Sequence, residues 1–238
     1  MVRRHHLSDC GEETAMAQPS GPRARISAYT IVCLALIACV QALIYFGTRL
    51  FLPYLTLHVL TGPLDARIPF SPPWITVYLL SFPYWLVTGL LVFSEEKPHA
   101  YRIAASYILA LLISLAVFLI WPGTLERPEV TGGSVFDALV RFVYIVDSPT
   151  NLCPSLHVML SYICFRGTMG RKRIPGWYKA FVGVFCGLVC CSVLLVKQHA
   201  VIDVPTGLFV GELALQCGRL LRLERVLLSA ENLFRKRK

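Results

Sequence analysis

Charge is scarce in this chain. Only 16% of its 238 residues are Asp, Glu, Lys or Arg, against 55% hydrophobic, and the mean hydropathy is +0.60. A soluble domain carries roughly a quarter charged residues, so the apolar surplus points to a lipid solvent. The formal charge of +9 does not point to nucleic acid. Lys and Arg fall in loops and tails between apolar runs, with no basic stripe interleaved with aromatics; there they set topology and meet anionic head groups. Metal-site spacing is lacking as well. Nine cysteines are present, yet no Cys-x-x-Cys or Cys/His set reads as a zinc site. Cys33, Cys39, Cys164, Cys186, Cys190, Cys191 and Cys217 lie inside apolar runs and read as free thiols, Cys10 is in the polar N-terminal tail, and Cys153 has no evident partner. No internal repeat is visible. Only Glu212 is a plausible mid-membrane charge, and no pair of broken helices marks a transporter.

What is present is a series of apolar runs. Residues 1–25 are polar and expected to be disordered. The run from Ile26 to about Phe46 lacks a small-residue cleavage site and reads as a retained membrane helix. Runs near the length that a bilayer core demands follow at 74–93, 101–121, 155–169, 178–197 and 199–220. The expected fold is therefore all-α: a polytopic bundle of six transmembrane helices over residues 26–220, ending in a basic cytoplasmic tail over 221–238. The stretch 48–73, with Pro53, Pro63, Pro69, Pro72 and Pro73, is too broken to span and is expected on the outer surface. Trp74, Trp85, Trp121 and Trp177 sit near run ends, as an interfacial belt would. Gly183/Gly187 and Gly207/Gly211 have the spacing of close helix packing.

Charge orients the bundle. Arg3, Arg4, Arg23 and Arg25 precede the first run, Lys97 and Arg102 flank one loop, and Arg166, Arg171, Lys172, Arg173 and Lys179 fill another. The chain ends Arg235-Lys236-Arg237-Lys238. The alternate loops, 48–73 and 122–153, are poorer in Lys and Arg, which places both termini in the cytoplasm. Two clusters, Cys153-Pro154-Ser155-Leu156-His157 and Lys197-Gln198-His199-Ala200-Val201-Ile202-Asp203, then share the outward side.

Ionisable groups at the mouth of a membrane helix are candidates for function. Pro154 suits the first turn of a helix, where its missing N–H costs nothing, and Ser155 with the free amides beside it suits a phosphate. His157 can donate a proton to a leaving alkoxide. His199 and Asp203 are four residues apart, on one helical face, so the carboxylate can accept the imidazole Nδ1–H and leave Nε2 free to attack phosphorus. Lys197 and Arg127 supply cations, which phosphoryl transfer needs to neutralise the equatorial oxygens. Asp147 and Asn151 read as shaping the turn into the fourth helix, and Glu212 as a polar packing contact.

These residues resemble the type-2 phosphatidic acid phosphatase superfamily, over roughly residues 100–215. Arg127-Pro128 matches the end of its first motif, Pro154-Ser155-Leu156-His157 its second with Leu for Gly, and Ser192, His199 and Asp203 its third. The resemblance implies that His199 is the nucleophile, His157 the acid/base and Asp203 the support of His199. It also implies that Ser155 and Arg127 contact phosphate, without a metal or other cofactor. Val193 and Ile120 stand where the family has an arginine and a lysine; Lys197 and, less directly, Arg141 are the available replacements. Leu156 and the Lys-Gln-His run are closer to the phosphotransferase-like and bacterial branches.

The expected function is thus metal-independent hydrolysis of a lipid phosphate or diphosphate, such as a phospholipid or isoprenoid phosphate, at the outer face of a plasma (inner) membrane. The alternatives are transfer of a phospho-head-group to a lipid alcohol and, in another class, a non-catalytic lipid-binding module.

Overall fold

The computed structural model describes residues 26–236; the expected tail 1–25, with Cys10 and the N-terminal arginines, and residues 237–238 lie outside them. The described chain is mostly helical. Its helices are α1 (Ala28–Arg49), α2 (Pro63–Arg67), α3 (Ile75–Phe93), α4 (Lys97–Ile120), α5 (Val135–Val146), α6 (Leu156–Thr168), α7 (Gly176–Leu195), α8 (Asp203–Leu220) and α9 (Glu224–Lys236). Two-residue strands β1 (His58–Val59) and β2 (Gly123–Thr124) pair in parallel, His58 opposite Gly123.

Local chemistry sets most boundaries. Ser27 caps α1, accepting from the Thr30 amide. Ser134 and Asp137 form a reciprocal capping box at the start of α5. Two helices end in the same way. Lys197 and Arg222 both adopt left-handed backbone (φ 52° at each), and the next residue bonds back to the last turn, Gln198 N to Val193 O at 2.9 Å and Leu223 N to Gly218 O at 3.0 Å. This is the Schellman arrangement, with a basic residue where glycine is usual.

Four segments are long and apolar enough to cross a membrane: Ala28–Arg49, Pro72–Phe93, Lys97–Ile120 and Gly176–Leu195. Their exposed faces carry large apolar side chains, among them Leu43, Leu86, Leu112 and Val184, which fits a lipid bilayer. The other two expected runs form α6, of 13 residues, and α8, of 18. At 1.5 Å per residue α6 is only about 20 Å long, short of the ~30 Å hydrocarbon core. It packs against α3, α7 and α8, and α8 lies along α4.

Two apolar clusters hold the helices together. One joins α1, α4, α6 and α8 through Ile37, Tyr107, Leu111, Met159 and Ala214; the other joins α3, α5, α6 and α7 through Tyr78, Val143, Val158 and Val189. Gly207 is required between them: a Cβ there would lie 2.8 Å from the Ser155 carbonyl, so only glycine lets α8 approach the start of α6. Gly211 and Gly183 are also closely packed, but Gly187 faces open space, so its spacing has no packing role. Glu212 is the expected packing contact, accepting from Tyr162 at 2.7 Å and Arg166 at 3.2 Å.

The loop 122–153 contains a helix that periodicity over the long apolar runs passed over, namely α5. The segment 221–238, expected as a tail, contains α9, which packs on α4 with Lys97 paired to Glu231 at 2.7 Å. Trp121 and Trp177 are exposed at helix ends, but Trp85 is not in a belt: it lies inside α3, with Nε1 donating to Ser161 Oγ at 2.8 Å.

Candidate active site

Several element ends meet at one point. The Ser71 amide ahead of α3 donates to Leu195 O at the end of α7, and the Ser155 amide ahead of α6 donates to Asp203 O at the start of α8. Pro154 precedes the cap of α6 rather than occupying its first turn, because Ser155 is the N-cap and accepts from the Val158 amide. His157 follows in the first turn. The second cluster also differs from expectation. α8 begins at Asp203, so His199 lies in the tight turn 197–202 and not on a helical face. That turn is held by Val193 O, which accepts from both the Gln198 and His199 amides, and by Asp203 Oδ2, which accepts from the Ala200 amide at 2.9 Å.

The turn still brings the pair together. His199 Nδ1 lies 3.1 Å from Asp203 Oδ2, with His199 7% exposed and Asp203 fully buried. Since that carboxylate oxygen already accepts an amide N–H, the bond assigns the proton to Nδ1 and leaves Nε2 with its lone pair. The His157 ring is 5.6 Å from the His199 ring, centroid to centroid. Tyr78 and Trp85 of α3 wall His157 at 4.7 and 5.4 Å. The three expected chemical residues thus form one constellation, contributed by α6, the α7–α8 turn and α8.

The expected phosphate contacts are placed less uniformly. Ser155 is fully buried and its hydroxyl is engaged in the cap. Arg127 reaches the site but is committed: Nη1 donates to Asp147 O at 2.7 Å and Tyr144 O at 3.3 Å, Nη2 to Gln198 Oε1 at 2.5 Å, and the guanidinium lies over the Tyr144 ring. Burial lowers its pKa, opposed by the nearby Asp147. Lys197 is turned to the α2 segment, where Nζ donates to Asp65 O at 2.9 Å and Ile68 O at 2.6 Å. Arg141 is pinned to the carbonyls of Val130 and Gly132. Val193 is buried in the second apolar cluster, where an arginine would have no partner, and Ile120 is exposed at the end of α4.

Both histidines line a cavity of about 370 Å³, together with Tyr45, Tyr78, Asp147, Asn151, Gln198 and others. Tyr45, Tyr78 and Gln198 were given no role from sequence, and Trp85 was read only as part of an interfacial belt. Asp147 is more than a turn-former. Its carboxylate accepts from the Tyr45 hydroxyl and, at 3.0 Å, from the Tyr78 hydroxyl, across the helix ends. Asn151 does shape the turn, with left-handed backbone (φ 56°) and Nδ2 donating to Thr48 at 2.7 Å. A tyrosine in the middle of an apolar run is a weak signal. Tyr45 and Tyr78 become legible only when their hydroxyls are seen to share one carboxylate. The cavity adjoins a larger apolar one of about 610 Å³ between α1, α3, α4 and α6, and the two share Gln41, Tyr45, Phe82 and Trp85 as walls. In comparisons with known proteins, no family model, no curated protein and no solved structure matches the chain.

Proposed function

We propose that this chain is a membrane enzyme that removes phosphate from a lipid phosphate or diphosphate through a phosphohistidine at His199. In this reading α6 and α8 complete a bundle of six spanning helices, both termini are cytoplasmic, and the histidine cavity faces outward across a plasma membrane. One observation carries the chemistry: His199 Nδ1 is held 3.1 Å from the buried Asp203 carboxylate while His157 stands beside it in the same cavity. The resemblance to the type-2 phosphatidic acid phosphatases adds the assignment of roles.

Nε2 of His199 attacks phosphorus, forming an N–P bond as the P–O bond to the lipid breaks. His157, protonated, gives its proton to the departing alkoxide. The imidazole bonded to phosphorus is cationic, and Asp203 offsets that charge. Water then attacks the phosphohistidine, His157 takes its proton, and phosphate leaves with the N–P bond broken. The neighbouring apolar cavity, of a size that small-molecule sites commonly have (~300–1,000 Å³), supports a lipid substrate, because its walls continue from those of the histidine cavity.

Transfer of a phospho-head-group to a lipid alcohol is the second reading. Asp147 favours it: among the described residues the cavity walls include this carboxylate and no lysine or arginine, a balance that suits a monoanionic phosphodiester better than a dianionic monoester.

The test uses purified protein in detergent with EDTA, a panel of lipid monophosphates, diphosphates and phosphodiesters, and a diacylglycerol or ceramide acceptor. Phosphate release that vanishes in His199→Ala and His157→Ala is expected, with a loss of at least ~10³-fold. Head-group transfer without free phosphate would select the second reading. No turnover of either kind, or a His199→Ala variant matching wild type, would sink the phosphohistidine and favour a lipid-binding module.

A further inference from the structure

The histidine cavity contains a polar group without a partner. Gln198 is 2% exposed and lines the cavity beside His199. Its Oε1 accepts from Arg127 Nη2, but its Nε2 is buried and bonds to nothing among the described residues. The amide cannot be turned around, because a guanidinium only donates and must face the oxygen. Both N–H donors are thereby fixed on the other side. The backbone is fixed too, since the Gln198 amide closes the end of α7 on Val193 O at 2.9 Å. A buried donor left unmade is destabilising, and such a group in a native site asks for the acceptor that satisfies it.

We propose that Gln198 is a phosphate-binding residue of this site, donating from Nε2 to a phosphoryl oxygen, and that Arg127 is the positioning residue that aims it. This rests on the phosphohistidine reading above. Arg127 gives Nη1 to Asp147 O and Tyr144 O and Nη2 to Gln198, its buried Nε has no partner among the described residues, and it is not among the cavity walls, so its charge acts on the phosphate through the amide that it polarises. Lys197, adjacent in sequence, is held by the carbonyls of Asp65 and Ile68. A neutral amide therefore stands next to the nucleophile where the resemblance leads one to expect a cation. As His199 attacks, negative charge builds on the equatorial oxygens, and a donor already aimed at one of them stabilises the transition state without reorganisation. No proton moves at Gln198; it contributes hydrogen bonds only.

The experiment measures binding of inorganic phosphate to the full-length protein in detergent, by calorimetry, alongside phosphohistidine formation from radiolabelled phosphatidate after rapid quench. Gln198→Met removes the donors at similar volume, and Gln198→Glu replaces them with a carboxylate of the same shape. Gln198→Met is expected to weaken phosphate binding at least ~10-fold and to slow phosphohistidine formation ~10²-fold or more, and also to lower the melting temperature, because it takes the Oε1 acceptor away from Arg127. Gln198→Glu also loses both donors but keeps an oxygen for Arg127, so it is expected to hold the wild-type melting temperature while losing phosphate binding and phosphohistidine formation. A structural role would move stability and binding together. If Gln198→Met proves unstable, Gln198→Glu decides alone. Phosphate affinity and phosphohistidine formation within about threefold of wild type in either variant would overturn the assignment while leaving His199 intact. A wild-type protein that neither binds phosphate nor labels at His199 would overturn both.

Discussion

The ends of α7 and α8 are built from the same turn, and only the first leads into the histidine cavity. At each, a basic residue takes the left-handed position and the following amide bonds back to the helix, through Gln198 in one case and Leu223 in the other. The difference lies in what grips the turn from outside. Arg222 is exposed, and the chain beyond it continues into α9 on the flank of α4. Beyond Lys197 the turn is seized on several sides: Asp65 accepts from the Val201 amide at 2.8 Å, Arg127 holds Gln198, and Asp203 holds both Ala200 and His199. A local motif fixes the path of the backbone for a few residues. Contacts from distant segments decide whether side chains on that path hold one geometry well enough for chemistry.

The most severe way to break this contrast is to loosen the outer grip without touching a histidine. Asp65→Ala removes the carboxylate that holds Val201, from a segment more than a hundred residues away in sequence. Hydrogen bonds to a charged group contribute about 1.5–3 kcal/mol each, so the melting temperature should fall. In the proposed reaction the rate of phosphohistidine formation should fall further, by ~10–100-fold, since small displacements of a nucleophile are expensive. A variant that melts lower but transfers phosphate at the wild-type rate would show that the turn holds itself.

A finer comparison relieves the backbone at both ends. A left-handed non-glycine residue costs roughly 1–2 kcal/mol. Arg222→Gly should therefore raise the melting temperature by a few degrees, since ~1 kcal/mol corresponds to about 2–4 °C at this size. Lys197→Gly gains the same relief but loses the hydrogen bonds from Nζ to Asp65 O and Ile68 O, so it should show no gain or a net loss. Equal stabilisation by both substitutions would mean that the Lys197 side chain holds nothing.

The smallest effect is expected at a third cap that faces solvent and touches neither turn. Hydrogen bonds from the Ser134 side chain and backbone hold the Asp137 carboxyl below its ordinary value. A group depressed in the folded state contributes its stability above its unfolded pKa and loses it as the pH falls through the folded one. A slight, acid-dependent loss of melting temperature should appear in the wild type and shrink in Ser134→Ala, which removes the side-chain donor and keeps the backbone one. An unchanged acid response in that variant would remove Asp137 as its source.

Much of the fold was legible because it depends on composition and period. Apolar runs of membrane length announced α1, α3, α4 and α7, and Pro-rich residues 48–73 announced a segment that would not span. α5 was missed although Ser134-x-x-Asp137 is a start signal, since a twelve-residue helix is easily lost between longer runs. Within the site, His157, His199 and Asp203 were legible from residue type and spacing. The reason given for the last pair was wrong in detail: a turn and not a helical face sets their distance.

By itself the sequence determined a mostly helical chain with four helices long and apolar enough to cross a membrane, and singled out two histidines and an aspartate, because hydropathy, cap chemistry and ionisable side chains act over a few residues. Tertiary structure alone decided that Lys197 bonds to the α2 segment, that Arg127 bonds to Gln198, and that Asp147 is shared by Tyr45 and Tyr78. These outcomes depend on which donors and acceptors are brought within about 3 Å across helix ends, and no local pattern carries that distance.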